Sequence, residues 1–187
     1  WFSEGSLSHA NIKQNNRNTL IQSHPEVDGL KTGFTNAAGH CLASTAKKGN
    51  TRLILVTLNA PSSQIRDRDT MSLLNYGFRF YETILVYPAN TTVTDTKVYQ
   101  GQLKTTVLEN HKPFWITAPR GTKDKLSIDT NIQTIVAPIS NQTPAGEVVA
   151  KIDDIEITKA PLYVKHPIQQ SSGLRRYIDK KKLLFIL

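Results

Sequence analysis

The sequence predicts a region of mixed α and β structure, then a β-rich region, then a short amphipathic helix at the C-terminus. Three observations support this expectation. A β-branched apolar run precedes apolar side chains at helical spacing within residues 1–83. Apolar and polar residues alternate along short runs in 84–167, a stretch that holds seven of the nine prolines. Cations flank an apolar face in the last fifteen residues.

The composition of the 187-residue chain excludes several kinds of site. The single cysteine, Cys41, excludes an intrachain disulfide and a cysteine-rich metal site. None of the five histidines is spaced as a metal ligand, so no metal or cofactor is expected. No apolar run approaches the roughly 18–20 residues of a membrane-spanning helix. The chain begins with Trp1 rather than Met, and we expect a processed or truncated product.

Three strands and one helix are expected in the first region. The strands are VDGLKTGFT (27–35), GHCLASTA (39–46) and TRLILVTL (51–58), with 47–50 as a four-residue hairpin loop between the last two. Pro61-Ser62-Ser63 marks a helix N-terminus with Ser63 as its cap. The helix is expected over 63–82, where apolar side chains recur at helical spacing: Met71, Leu74, Phe78 and Tyr81.

The second region is expected to form a small antiparallel sandwich or barrel, because its apolar residues alternate and turn signals separate the runs. The residues that carry the alternation are Val148, Ala150 and Ile152, then Ile155 and Ile157, then Leu162 and Val164.

The tripeptide Lys31-Thr32-Gly33 is the strongest chemical signal, although alone it is weak. It lies on an expected strand, where a cation and a hydroxyl at fixed positions suit a substrate that ends in a carboxylate. The strand edge offers backbone groups to an extended peptide, and the glycine lets that peptide approach the backbone. The same tripeptide is one of the motifs of penicillin-binding proteins and class A β-lactamases.

The residues around this tripeptide resemble a known family. VDGLKTGFTNAAGHCLASTA, RLILVTL and RDRDTMSLLNYGFRFYET, together with the upstream NIKQNNRNTLI (11–21), are similar to the low-molecular-weight penicillin-binding proteins that are D-alanyl-D-alanine carboxypeptidases. The resemblance implies part of a transpeptidase-like (β-lactamase-like) α+β catalytic domain at 1–83, an all-β sandwich-like domain at 84–167, and a linker with an amphipathic membrane-anchor helix at 168–187.

The resemblance also implies roles for individual residues. Lys31, Thr32 and Gly33 match the family's third active-site motif, and the backbone N–H of Phe34 would be an oxyanion donor. Arg66 and Arg17 match arginines that hold or border the substrate carboxylate. Close relatives usually have His where Phe34 stands. Without the resemblance, Arg66 has a simpler explanation as a surface ion pair with Asp67 or Asp69.

The family's nucleophile motif, Ser-x-x-Lys, does not occur before Lys31. The resemblance therefore implies a serine-type D-Ala-D-Ala carboxypeptidase without the N-terminal half of its catalytic domain, and a chain that is inactive alone. Its partners would be peptidoglycan stem peptides ending in D-Ala-D-Ala, β-lactams as inhibitors of the complete enzyme, and that missing half. A β-lactamase fits less well, because it lacks the β-rich domain and the anchor. The alternative function is a non-catalytic β-sandwich module that positions partners at a membrane.

The tail predicts a membrane contact. Residues 173–187 hold five Lys or Arg and one Asp, half of the chain's net charge of +8. An anionic membrane surface uses both the cations and the apolar face. Nucleic acid is not expected, because the tail has no base-stacking aromatics at a useful spacing and is too short to read a groove. We expect peripheral attachment at the periplasmic face of a bacterial inner membrane. The residues assigned to this contact are Leu174, Arg175, Arg176, Tyr177, Ile178, Lys180, Lys181, Lys182 and Phe185.

Overall fold

The computed structural model describes residues 2–173 and residue 179, and this part of the chain is mostly β structure with few helices. Two compact units make it up. The first holds the chain up to Thr83 together with Thr117–Arg120, and the second holds Ile84–Ile116 and the chain from Gly121 onward.

Thirteen strands and two α-helices occur in the described residues. In chain order they are β1 Ser6–His9, β2 Ile12–Asn15, α1 Leu20–Ser23, β3 Val27–Thr35, β4 Gly39–Lys48, β5 Thr51–Ala60, α2 Ser63–Phe80, β6 Tyr81–Tyr87, β7 Thr92–Tyr99, β8 Thr105–Glu109, β9 Phe114–Pro119, β10 Leu126–Ile132, β11 Ile135–Val136, β12 Pro144–Ile152 and β13 Ile155–Val164. A single 3₁₀ turn at Lys123–Lys125 precedes β10.

The first unit is built on an antiparallel sheet in the order β3-β4-β5, with a separate β1-β2 hairpin beside it. Helix α2 packs on one face of this sheet, where Met71, Leu74 and Phe78 form a core with Leu42 and Ala46. The helical spacing predicted these three buried positions correctly. A hydroxyl pair, Thr57 with Thr70 at 2.8 Å, also joins β5 to α2.

Three local predictions for this unit are wrong by a few residues. The β4–β5 loop has two residues rather than four, because Lys48 pairs with Thr51 and Gly49 takes a positive φ of 59°. The helix cap is Ser62, whose Oγ accepts a hydrogen bond from the Ile65 N–H at 3.2 Å, rather than Ser63. The helix ends at Phe80, and Tyr81 begins β6.

The second unit places two sheets around one core. The larger sheet has the order β10-β12-β13-β8-β7-β11, and β6 pairs with β9 in the smaller one. Side chains of both sheets meet in the core, among them Leu108, Phe114, Ile116, Val148 and Leu162.

The alternation in this unit predicts its core in part. Val148, Ala150, Leu162 and Val164 are fully buried, as the pattern indicates. Ile155 and Ile157 are exposed instead. Ile155 lies opposite Ile152 beside the tight turn at Asp153-Asp154. The register of the hairpin shifts between Ala150 and Lys151, so Thr158 and not Ile157 lies opposite the buried Ala150.

The predicted amphipathic helix and its lipid-facing side chains lie outside the described residues. Residue 179 is the exception, and its carboxylate oxygen Oδ2 accepts a hydrogen bond from the Gln100 N–H at 2.9 Å. Among the helices that the structure describes, none combines the length and the apolar character needed to cross a membrane.

An ion-pair clamp joins all three strands of the first sheet. The Arg52 guanidinium on β5 donates to both carboxylate oxygens of Asp28 on β3, at 2.9 and 2.7 Å, and to the Thr45 hydroxyl on β4 at 2.6 Å. These hydrogen bonds from Arg52 are the main reason that the pKa of the Asp28 carboxyl lies below its ordinary value. The clamp therefore fixes the start of β3 against β5.

We expect Asp28→Asn to destabilise the first unit at neutral pH and to have little effect in acid. A lowered pKa gives stability that is present above the unfolded pKa of Asp and disappears as pH falls through the folded value. Because the pair is partly exposed, the urea midpoint at pH 7 should fall by no more than about 0.5 M. The measurement is urea unfolding at pH 7 and pH 3, followed by amide NMR signals of β3–β5.

The matched control is Asp69→Asn, which removes an exposed carboxylate that pairs with its neighbour Arg68 on α2. The control should change the midpoint equally little at both pH values. A loss for Asp28→Asn that is the same at pH 3 and pH 7 would show that the charge of Asp28 does not stabilise the strand.

Candidate active site

The Lys31-Thr32-Gly33 tripeptide lies in the middle of β3, an edge strand of the described sheet. β4 pairs with one side of β3 over nearly its whole length, from Val27 opposite Ala46 to Thr35 opposite Gly39. In residues 2–173, no strand pairs with the other side. The exposed Lys31 ammonium donates to the Thr32 carbonyl oxygen at 2.6 Å. An extended peptide therefore has a free strand edge to pair with at this tripeptide.

A cavity of about 560 Å³ runs along the free edge of β3. On one side it is lined by Leu30, Lys31 and Thr32, and on the other by Ser6, Leu7, Gln14 and Asn15 of the β1-β2 hairpin. Arg17 and Glu4 also line it. Two cations and one acid at a strand edge favour an extended ligand that carries a negative charge.

Two asparagines that the sequence analysis missed hold Arg17 beside the tripeptide. The Asn16 side-chain amide donates to the carbonyl oxygens of Phe2 and Glu4, at 3.2 and 3.0 Å. The fully buried Asn18 donates through Nδ2 to the Gly29 carbonyl oxygen on β3, at 3.2 Å. The residues before and after Arg17 are thus fixed to the hairpin region and to β3. The Asn-Arg-Asn sequence was the available signal.

Arg66 is buried, whereas the simpler explanation placed its ion pair on the surface. Only 4% of it is exposed, and its Nε and Nη2 lie 2.8 and 2.7 Å from Asp67 Oδ1. The second Asp67 oxygen accepts from the Thr19 hydroxyl at 2.5 Å. The ion-pair partner is therefore Asp67, whereas Asp69 pairs with Arg68. Arg66 does not line the cavity that contains Lys31 and Arg17.

The alternation of the strands nevertheless puts Arg66 on the same sheet face as Thr32. Thr32 lies opposite Leu42, and Leu42 lies opposite Thr57, so the three side chains share the face that α2 covers. Arg66, Thr70 and Leu74 are spaced four residues apart on α2 and are all buried. Lys31, opposite Ala43 and Val56, is on the other face.

Phe34 follows the tripeptide and is strongly exposed for a phenylalanine, at 59%. Its ring lies beside that of His40, its direct cross-strand partner on β4, with centroids 4.5 Å apart. The structure thus brings Lys31, Thr32 and Arg17 to one cavity. Arg66 lies on the helix-covered face of the sheet, and Phe34 lies two residues beyond Thr32 on β3 without lining the cavity. The membrane residues assigned to 174–187 lie outside the described part.

Two family models match the chain. The model of D-alanyl-D-alanine carboxypeptidase matches residues 2–62, and that of the penicillin-binding protein 5 C-terminal domain matches residues 81–170. The first match contains Arg17 and Lys31-Thr32-Gly33, and the second contains most of the unit that begins at Ile84.

Curated relatives agree with this assignment. The chain is 31% identical over 187 residues to the D-alanyl-D-alanine carboxypeptidase DacA of Escherichia coli, covering 98% of this chain and 46% of that protein. It is 34% identical over 161 residues to DacF of Bacillus subtilis, covering 83% of this chain and 41% of the relative. The chain therefore spans a little under half the length of these relatives.

The fold comparison gives the same result. Penicillin-binding protein 5 from Haemophilus influenzae superposes with a TM-score of 0.81 and 30% identity, over 90% of this chain and 50% of that chain. The matches in sequence, in fold and at the tripeptide agree, and the chain belongs to the D-alanyl-D-alanine carboxypeptidase family of low-molecular-weight penicillin-binding proteins.

Proposed function

We propose that this chain is part of a serine-type D-Ala-D-Ala carboxypeptidase that removes the terminal D-alanine of peptidoglycan stem peptides. The observation that carries the proposal is the Lys31-Thr32-Gly33 tripeptide on a free strand edge that shares a cavity with Arg17. The nucleophile would come from the part of the protein outside this chain. Its serine oxygen attacks the penultimate carbonyl carbon, D-alanine leaves with a proton on its nitrogen, and water hydrolyses the acyl-enzyme.

The residues of this chain would hold the substrate for that reaction. The substrate pairs with the free edge of β3, and its terminal carboxylate lies at the Thr32 hydroxyl. Lys31 and Arg17 line the same cavity, and Arg66 acts from the sheet face that it shares with Thr32. The Phe34 N–H donates to the oxygen that becomes negatively charged in the transition state. Gly33 leaves room for the peptide backbone to approach the strand.

We assign 1–83 to the transpeptidase-like catalytic domain, 84–167 to the β-rich, sandwich-like domain and 168–187 to the linker and anchor. An uncovered apolar stripe supports the idea that more of the catalytic domain packs on the first unit. Ile54, Val56 and Leu58 are 72%, 59% and 70% exposed and lie on the face of β5 that α2 does not cover. The relatives are more than twice as long as their match here, which leaves enough chain to cover this face.

Penicillin labelling tests the catalytic proposal. We expect the complete protein to bind a fluorescent penicillin covalently and the 187-residue chain alone not to, because no Ser-x-x-Lys precedes Lys31. The one such spacing in the chain, Ser44 to Lys47, lies within β4, where Ser44 is fully buried and its hydroxyl donates to the Leu55 carbonyl oxygen. Gel fluorescence after denaturation measures both. If the complete protein fails to label, the carboxypeptidase proposal is wrong and the alternative, a non-catalytic β-sandwich module, takes its place. Labelling of the chain alone would show that it contains a nucleophile.

A second prediction concerns the carboxylate clamp. In the complete protein, Arg66→Ala should lower kcat/KM about ten- to a hundredfold for a peptide with a free terminal carboxylate, because a charge-assisted hydrogen bond is lost. The amidated peptide should hardly change. Steady-state release of the C-terminal residue from both peptides gives the ratio, and a thermal melt shows whether the variant is folded.

The control for this experiment is Arg68→Ala, two residues further along α2, which removes an exposed cation that pairs with Asp69. The control should leave both substrates unchanged. Equal losses on the free and amidated peptides would mean that Arg66 only neutralises the partly buried Asp67.

We also propose that 173–187 attaches the protein to the periplasmic face of a bacterial inner membrane, as a peripheral contact. The support is the sequence itself, in which half of the net charge lies beside an apolar face. Near an anionic surface each cation contributes about 1 kcal/mol, and the attraction weakens as salt shortens the screening length.

We expect the triple variant Lys180→Gln, Lys181→Gln, Lys182→Gln to bind anionic vesicles at least about tenfold more weakly at low salt, because three cations face the lipid phosphates. Tyr177→Ser, Ile178→Ser, Phe185→Ser should weaken binding at every salt concentration, since it removes apolar contacts. Vesicle sedimentation measures both.

The control replaces three exposed lysines elsewhere, Lys47, Lys48 and Lys123, by Gln and keeps the same net charge as the tail variant. It should bind like the unmodified chain. If this control and the tail variant that lacks Lys180, Lys181 and Lys182 bind equally weakly, the net charge of the protein rather than the tail holds it to the vesicles.

A further inference from the structure

Phe34 and His40 form an exposed aromatic pair that the packing of the chain does not explain. The Phe34 side chain has 59% of its surface exposed, so it contributes little to the core. Its ring is nevertheless held, because the His40 ring lies 4.5 Å away at an angle of 36°. Edge strands usually carry charge or proline where they need protection from aggregation. A fixed apolar ring at such a position instead provides a contact surface.

The position of this ring follows from the strand geometry. Side chains alternate between the two faces of a strand, so Phe34 and Thr32 point to the same face, roughly 7 Å apart. His40 lies opposite Phe34, and Leu42 lies opposite Thr32 in the same arrangement. Lys31 and Gly33 belong to the other face. The ring of Phe34 therefore lies on the side of β3 that the Thr32 hydroxyl occupies.

We propose that Phe34, held by His40, determines specificity for the residue that bears the substrate's terminal carboxylate, and that it favours a small apolar side chain there over none. This inference rests on the proposed function, in which Thr32 binds that carboxylate. The carboxylate and the side chain of one residue share the same α-carbon. A substrate bound at Thr32 therefore brings its terminal side chain within reach of a ring one step further along the strand.

The test compares two N-acylated peptides with the complete protein, one ending in D-Ala-D-Ala and the other in D-Ala-Gly. They differ only in the methyl group that would contact Phe34. Phe34→Ala should reduce the preference for D-Ala over Gly, measured as the ratio of kcat/KM values, by about fourfold, the equivalent of one buried methyl group. The readout is the ratio for the two peptides and not either rate alone, because the backbone N–H of residue 34 also takes part in the proposed reaction and acts on both peptides alike.

Three further variants sharpen the result. Phe34→Leu should retain most of the preference, since it keeps apolar bulk. His40→Ala should lower it by about twofold, because the ring loses its cross-strand neighbour. The control is Phe80→Ala, which removes another exposed phenylalanine with an aromatic neighbour, Tyr76 at 4.7 Å, and should leave the ratio unchanged.

The outcomes separate this inference from the proposed function. If the unmodified complete protein releases neither D-alanine nor glycine, the carboxypeptidase assignment fails. If it cleaves both peptides and Phe34→Ala slows them equally, with an unchanged thermal melt, the specificity assignment to Phe34 is wrong and the carboxypeptidase assignment stands.

Discussion

The fixed position of β3 as a strand with one partner is the constraint on which the candidate site depends. β4 holds it through paired residues from Val27 to Thr35, and Arg52 ties Asp28 to β5 across that strand. Asn18 reaches the Gly29 carbonyl from the other side, just before the tripeptide. These contacts secure the first three residues of β3 and leave the edge at Lys31–Gly33 free. A strand edge binds a peptide well only when it is already rigid, since ordering it on binding costs free energy.

The charges near this edge are divided between an exposed and a buried group. Lys31 and Arg17 line the cavity, and no acid other than Glu4 lines it among the described residues. Arg66 is buried against Asp67, so the pair contributes little net field, but a guanidinium has five N–H donors and this carboxylate occupies only part of them. In the proposed site, Arg66 would bind the carboxylate with its remaining donors, and the exposed Lys31 and Arg17 would attract the anion from solution.

Local periodicity in the sequence predicted most of the fold of the first unit, and the contacts that it missed join residues far apart in the sequence. The pattern in Val27–Thr35 and the spacing of Met71, Leu74 and Phe78 were sufficient for β3 and α2. The Asn18–Gly29 contact joins residues 11 positions apart and depends on how the segment before α1 packs against β3. The Asp28–Arg52 clamp joins residues 24 positions apart that the register of the sheet brings together. The same holds for Phe34 and His40, which are partners through the β3–β4 pairing. In the second unit, alternation marked Val148 and Leu162 as core, but it could not show the register shift between Ala150 and Lys151, which takes Ile157 out of the alternation.

The apolar stripe and Lys31 lie on the same sheet face, and this couples the completion of the fold to the completion of the site. Lys31 pairs with Ala43, and Ala43 pairs with Val56, so the three side chains form one row on the face that α2 leaves uncovered. Any element that buries Ile54, Val56 and Leu58 also lies against the side of β3 from which the Lys31 ammonium projects. Burying three such side chains is worth several kcal/mol, with roughly 1.5–3 for each one fully buried. An element that extends from this stripe across Ala43 to β3 would therefore also place its own residues beside the Lys31 side chain.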